Sequence, residues 1–465
     1  MHSSSGPRAA SVSGSWAGRP PGVPGAVPPP SVPLSFLAAA SAGLVACGIA
    51  WVWARTAATT DPSADRVVAA VHFGVLATLA MGVLGATHQF TPVITGRPLR
   101  SVLLARTTFV VWLGASWLLP LGIGFEQTGV TAASGVLALV GLLLLAWNLA
   151  APLSVRGKGA PVTALRLALL GAAATTLLGA TFVGDRQGHW FTLSGHVDLA
   201  MGVLGLFAWL VVTYIGVAQK LWPMFMLAHV PGGHRSGTVA VWGTWLGAAI
   251  LAGGLAHGAP VSEWGGAGVL VVGLGAHLAS LWAHLRHRRR KADLHLLFVV
   301  TAAAWLLVAA GLALAGALLL PNHYRLGVAL VAAAMVAGGG WLLEALVGHA
   351  HKVVPFIVWS LLRSQGTPSG PSGKPLMFAD LYHHGWAAAT YGTITAGTAA
   401  LCAGLGASWP PAIAAGGVLL TATGVLAAAN LSARPLHLRT AVRAGTDVPA
   451  AATTQRTEPA AERST

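Results

Sequence analysis

The sequence predicts an all-α integral membrane fold: about twelve transmembrane helices in three pseudo-symmetric four-helix units. Three observations carry this. The composition is 55% hydrophobic and only 8% charged, with mean hydropathy +0.70. A soluble domain carries roughly a quarter charged residues, so this chain belongs in a bilayer. Its apolar runs are about 20 residues long, the length a helix needs to cross a hydrocarbon core of roughly 30 Å. Finally, one short signature occurs three times: Gly85-Ala-Thr-His88-Gln89-Phe-Thr-Pro92, Gly216-Val-Ala-Gln219-Lys220-Leu-Trp-Pro223 and Gly348-His349-Ala-His351-Lys352-Val-Val-Pro355. The copies lie 131 and 132 residues apart, and a regular period marks a repeated structural unit.

Taken in order, residues 1–34 are rich in Ser, Gly and Pro and read as a disordered tail without a cleavable signal. The membrane domain is expected over 35–435, with units near 35–152, 162–285 and 294–432. Its spans run near 35–55, 66–94, 102–123, 130–152, 162–184, 196–222, 238–258, 264–285, 294–319, 325–347, 386–405 and 411–432. The tenth extends through Pro355 as a kinked or re-entrant continuation. Residues 436–465 are polar and rich in Ala and Thr, and read as a second tail.

The loops alternate in charge. Arg97, Arg100 and Arg106 follow the second span, Arg156 and Lys158 the fourth, Lys220 and Arg235 the sixth. Arg288 to Lys291 follow the eighth, Lys352, Arg363 and Lys374 the tenth, and Arg434, Arg439 and Arg443 the twelfth. Basic loops stay in the cytoplasm, so both termini are expected there. The same rule accounts for the net charge of +15. No soluble segment interleaves aromatics with bases, so nucleic acid is not an expected partner. The run Arg288 to Lys291 fits a topology anchor that touches anionic lipid. Cys47 and Cys402 lie inside apolar spans without metal-site spacing, as buried thiols do.

The signature closes spans two, six and ten, and its proline suggests a helix exit. Gly85, Gly216 and Gly348 then share one depth near the cytoplasmic face, where His88 and His351 hold matching registers and should approach a common mouth. Thirteen residues earlier, about 20 Å towards the other face, stand His72, Val203 and Met335.

Twelve spans, internal termini and three four-helix arcs resemble the catalytic subunit of the haem–copper oxidases. The stretches from His72 through Gly85–Leu99 and Trp222-Pro-Met-Phe225 look more like its divergent NnrS-type relatives. The resemblance spans roughly residues 35–432. It implies a haem, linked to respiratory or nitrogen-oxide redox metabolism and electron transfer, with a redox partner or respiratory subunit beside it. His72 matches the position of the low-spin haem ligand on helix two. The chain departs from the oxidases at their copper centre. Span seven has no histidine before His257, and His349-Ala-His351 lies at the opposite depth from the oxidase His-x-His. An intact copper centre is therefore not expected, and copper is a minor second candidate beside haem.

Imidazole serves both metals. With His72 as one axial ligand, the candidates for the other are His196, His323 and Met335. A second group, His88, His229, His349 and His351, gathers at the inner level and suits a second metal site or a proton vestibule. Glu344 lies within span ten, seven residues before His351, and is the candidate proton relay or partner of a ligand. Each has an ordinary alternative: buried histidines bonding to neighbouring helices, methionine as packing, polar ends snorkelling to the interface. Two other readings of the whole remain open. One is a metal-free transporter or proton-coupled channel whose Gly/Pro helix ends form gates. The other is a structural subunit of a respiratory complex.

Overall fold

The structure, a computed structural model, describes residues 27–186, 192–193, 196–230, 234–364 and 376–443. Much of both predicted tails, 1–26 and 444–465, lies outside the described residues. Among the described residues the fold has twelve long helices: α1 Ser31–Ala54, α2 Asp65–Thr95, α3 Val102–Gly124, α4 Thr128–Leu153, α5 Gly159–Arg186, α6 Val197–Met226, α7 His234–His257, α8 Pro260–Arg286, α9 Leu294–Leu319, α10 Tyr324–Ser364, α11 His384–Gly406 and α12 Pro410–Arg443. No strand occurs among the described residues. Eleven of the twelve are long and apolar enough to cross a membrane, which makes this an all-α, multi-pass architecture.

α11 is the exception. Its 23 residues suffice to cross, but Thr390, Thr393, Thr395, Thr398 and Tyr391 dilute its hydropathy. It is sandwiched between α10 and α12, and its hydroxyls bond to protein: Thr395 to Glu344, Thr393 to Thr423, Tyr391 to Thr301. Two boundaries differ from the sequence reading. α1 starts at Ser31, and α12 runs to Arg443, into the stretch expected to be tail.

α2, α6 and α10 touch one another in all three pairs, and the other helices pack around them. Of their most apolar windows 67, 72 and 50% are buried, against 28–44% for the other eight spans. Apolar burial does not drive helix association inside lipid, so close packing of small residues must do so. The signature glycines serve that need. A Cβ on Gly85 would lie 2.7 Å from Phe36 Cβ, on Gly216 2.5 Å from Ala164 Cβ, and on Gly348 2.4 Å from Phe298 Cβ. Each central helix is thus pressed against the helix immediately before it in the chain: α1, α5 and α9.

The signature proline does not end a helix, as the sequence suggested. Pro92, Pro223 and Pro355 all lie inside their helices. α2 and α6 stop one turn later, on left-handed caps at Gly96 (φ +72°) and Leu227 (φ +50°), 131 residues apart. α10 instead continues to Ser364, where Val358 and Leu362 pack on Leu376 and Leu381. The even-numbered helix ends meet at one end of the bundle. Arg100 stacks on Trp147 at 3.9 Å and its amide donates to Asn148 O, while the Arg289 and Arg290 amides donate to Met226 O. Lys352 pairs with Asp293 at the same end.

Candidate functional site

Helical geometry decides where each signature residue faces. Positions two before the Gly (Val83, Tyr214, Leu346), one after it (Ala86, Val217, His349) and five after it (Phe90, Leu221, Val353) all line one cavity of about 60 Å³ between the central helices. Equivalent registers of three helices meeting in one cavity is what a repeated unit produces. Position three after the Gly lies about 200° around the helix from position one after it. It points outwards. His88 therefore stacks on Phe36 of α1 (centroids 5.3 Å, planes 23°), and His351 on Phe298 of α9 (5.7 Å, 20°). In the middle copy Gln219 takes that register and faces Gly237 of α7. The expected common mouth for His88 and His351 is replaced by two separate seats with the same construction.

The likeness of the two seats extends to their support. Phe109 meets Phe36 edge-on at 5.1 Å, and Tyr391 meets Phe298 edge-on at 5.2 Å. Nδ1–H of His88 donates to Leu84 O at 2.8 Å, and Nδ1–H of His351 to Val347 O at 2.8 Å. A carbonyl can only accept, so Nδ1 carries the proton and Nε2 keeps its lone pair. Both Nε2 atoms are buried and have no hydrogen-bond partner. An imidazole held at one nitrogen by a backbone carbonyl, with the other left as an acceptor, is the arrangement that ligating histidines adopt.

His349 repeats it on the opposite side of α10. Its Nδ1–H donates to Ala345 O at 2.6 Å and its Nε2 is unpartnered. Around it stand Tyr214 and Phe225 of α6 and His295 of α9, whose ring centroid lies 4.9 Å away. Next to these, His277 of α8 packs against Tyr214, Trp222 and Trp341. His284 lies two turns along α8, also against Trp222. His277, His284 and His295 are buried, and the sequence reading missed all three. A signal existed: two imidazoles seven residues apart on one face of an apolar span should face the bundle.

The outer-level candidates fare differently. His72 is half-buried, with Nδ1 2.8 Å from Val68 O, just before a π-helical turn over Phe73–Ala80. His196 and His323 are exposed at the starts of α6 and α10. Met335 is half-buried, and its methyl would lie 3.2 Å from a Cβ on Gly202 of α6. That contact joins the expected Met335 and Val203 level. His229 is exposed in the loop after α6. Among the described residues no three His, Cys, Asp or Glu side chains are arranged to hold a metal ion. Cys47 and Cys402 are free, buried thiols.

At the end of the bundle, the Tyr382 ring lies 5.9 Å from His351 and 4.8 Å from His384. Burial, then the Asp293 carboxylate, pushes the Tyr382 phenol above its ordinary range, so it stays a protonated donor. A comparison of the chain with protein-family profiles found no match, and one with curated proteins found none either.

Proposed function

We propose that this chain is a haem-binding electron-transfer protein of a bacterial plasma membrane. Its twelve helices would form three four-helix units, with both termini cytoplasmic. The reading keeps the resemblance to haem–copper oxidase subunits and their NnrS-type relatives, and moves the ligands. The observation that carries it is the set of buried imidazoles with Nδ1 tied down and Nε2 free, two of them in seats of identical design. Leaving a buried acceptor unpaired costs roughly 1–3 kcal/mol, so such groups call for a partner, and an iron atom is one that imidazole serves well.

His88 and His351 are the residues that would hold haem iron. His349 would face Tyr214, Phe225 and His295 on the other side of α10. The His-x-His spacing turns the two α10 imidazoles about 200° apart, so they serve opposite sides of the helix rather than one metal. Haem supplies one-electron transfer. The chain's own residues fix ring orientation, through the carbonyls of Leu84, Ala345 and Val347, and exclude water with Phe36, Phe109 and Phe298.

Optical absorption of the purified protein tests this. A Soret band should be present, should fall by more than half in His88→Ala and His351→Ala, and should survive His72→Ala. Loss in His72→Ala alone would return the site to the outer level. No band together with no copper by elemental analysis would favour the metal-free transporter. Co-purification with respiratory subunits would identify a partner.

A further inference from the structure

We infer that Glu344 is a proton-binding site in the middle of the bundle, set among the hydroxyls of α9 and α11. The inference holds whether or not haem is bound.

Glu344 is fully buried. Its Oε1 accepts from Thr395 Oγ1 at 2.8 Å, and its Oε2 has no hydrogen-bond partner. The groups around it are Thr395 from α11 and Trp305 from α9, both neutral, while on its own helix His349 lies five residues on and turned about 140° away, and His351 two turns on along the same face. The ion pair described for this part of the chain, Lys352 with Asp293, lies beyond His351 at the bundle end. Thr395 stands eleven residues into α11, about 16 Å from that end by helical rise. A carboxylate at such depth without a counter-ion is very costly, so the neutral acid is the resting form. The registers equivalent to Glu344 are Met81 in α2 and Val212 in α6, both fully buried. The third copy therefore carries an acid where the packing needs only an apolar side chain.

Hydroxyls extend from it towards the bundle end. One turn below Thr395, Tyr391 shares a hydrogen bond with Thr301 of α9 at 2.8 Å. The Tyr391 ring rests on Phe298, which carries no exchangeable proton and in turn stacks on His351, about 10 Å below Glu344 by helical rise. Tyr391 and Thr395, two of the polar side chains that set α11 apart from the other spans, therefore lie on the Glu344 side of that ring. A proton adds to a Glu344 oxygen, leaving a neutral carboxyl among these hydroxyls.

Infrared spectroscopy of the full-length protein in liposomes tests this. The wild type should show the carbonyl stretch of a protonated carboxyl at neutral pH, shifting when H₂O is exchanged for D₂O. Glu344→Gln should abolish it. Thr395→Val, which removes the donor to Oε1, should move the band without abolishing it, and so assigns it even if Glu344→Gln folds poorly. A missing band in the wild type, or a band that persists in Glu344→Gln, would overturn the inference.

Discussion

The first two copies of the signature, on α2 and α6, solve a packing problem in one way, and the third, on α10, solves it in another. In the first two, the outer helix supplies glycine. A Cβ on Gly43 would lie 2.1 Å from Ala77 O, and one on Gly171 2.4 Å from Ala208 O, positions 131 residues apart on α2 and α6. Both carbonyls belong to π-helical turns, Phe73–Ala80 and Leu204–Val211, again 131 residues apart. In the third, the outer helix carries Trp305 in that register, seven residues after Phe298 as Gly43 is seven after Phe36. The central helix stays α-helical, and its Gly338 and Gly340 face Leu206 of α6 and Thr398 of α11 rather than α9. The third copy thus carries an indole where the first two have glycine, and Glu344 stands beside it.

The comparison breaks most visibly at the glycines that touch backbone. Gly43→Ala and Gly171→Ala drive a methyl into a carbonyl that cannot rotate away. Each should cost about 3 kcal/mol or more, the upper range for overpacking a tight core. Thermal unfolding in detergent should show a large fall in Tm for both. Gly339→Ala, by contrast, adds a Cβ with nothing within 4 Å and should hold or raise Tm. An equal fall in all three would mean the two solutions do not differ.

How much of this was legible beforehand follows from what each feature depends on. The period was legible because Gly and Pro are chosen for backbone reasons that the sequence displays directly. The central role of spans two, six and ten followed from it. The π turns were not legible, since Phe73–Ala80 has an ordinary apolar composition and widens only against Gly43. The direction of His88 follows from helical geometry, whereas depth alone points to a common mouth. His277 and His284 stand on one face of span eight, but no signature marks them. Glu344 stands out as the acid within a span, whereas its hydrogen bond to Thr395 depends on the polar composition of α11, which resembles ordinary variation.

A second test swaps the copies. Glu344→Met places in α10 the residue that α2 has at the equivalent Met81. Removing a buried acid with an unpaired oxygen should stabilise the protein by about 1–3 kcal/mol. The gain should appear as a raised Tm together with loss of the carboxyl band. If Tm falls instead, the acid is serving structure and the third copy is not a modified version of the first.

The smallest effect concerns the ends of α2 and α6. Both finish in the left-handed conformation, and α2 has glycine there while α6 has Leu227. That conformation costs a side-chain-bearing residue roughly 1–2 kcal/mol. The Leu227 side chain is exposed, so little packing is lost on removing it. Leu227→Gly should therefore stabilise by about 1 kcal/mol, and Gly96→Leu should destabilise by a similar amount. The Arg289 and Arg290 amides already hold the Met226 carbonyl beside this cap. Their docking explains how the strained ending is tolerated: the loop after α8 fixes the end of α6, where α2 ends on its own glycine. If Leu227→Gly lowers Tm, that docking depends on the leucine side chain, and the difference between the two ends is a designed contact rather than residual strain.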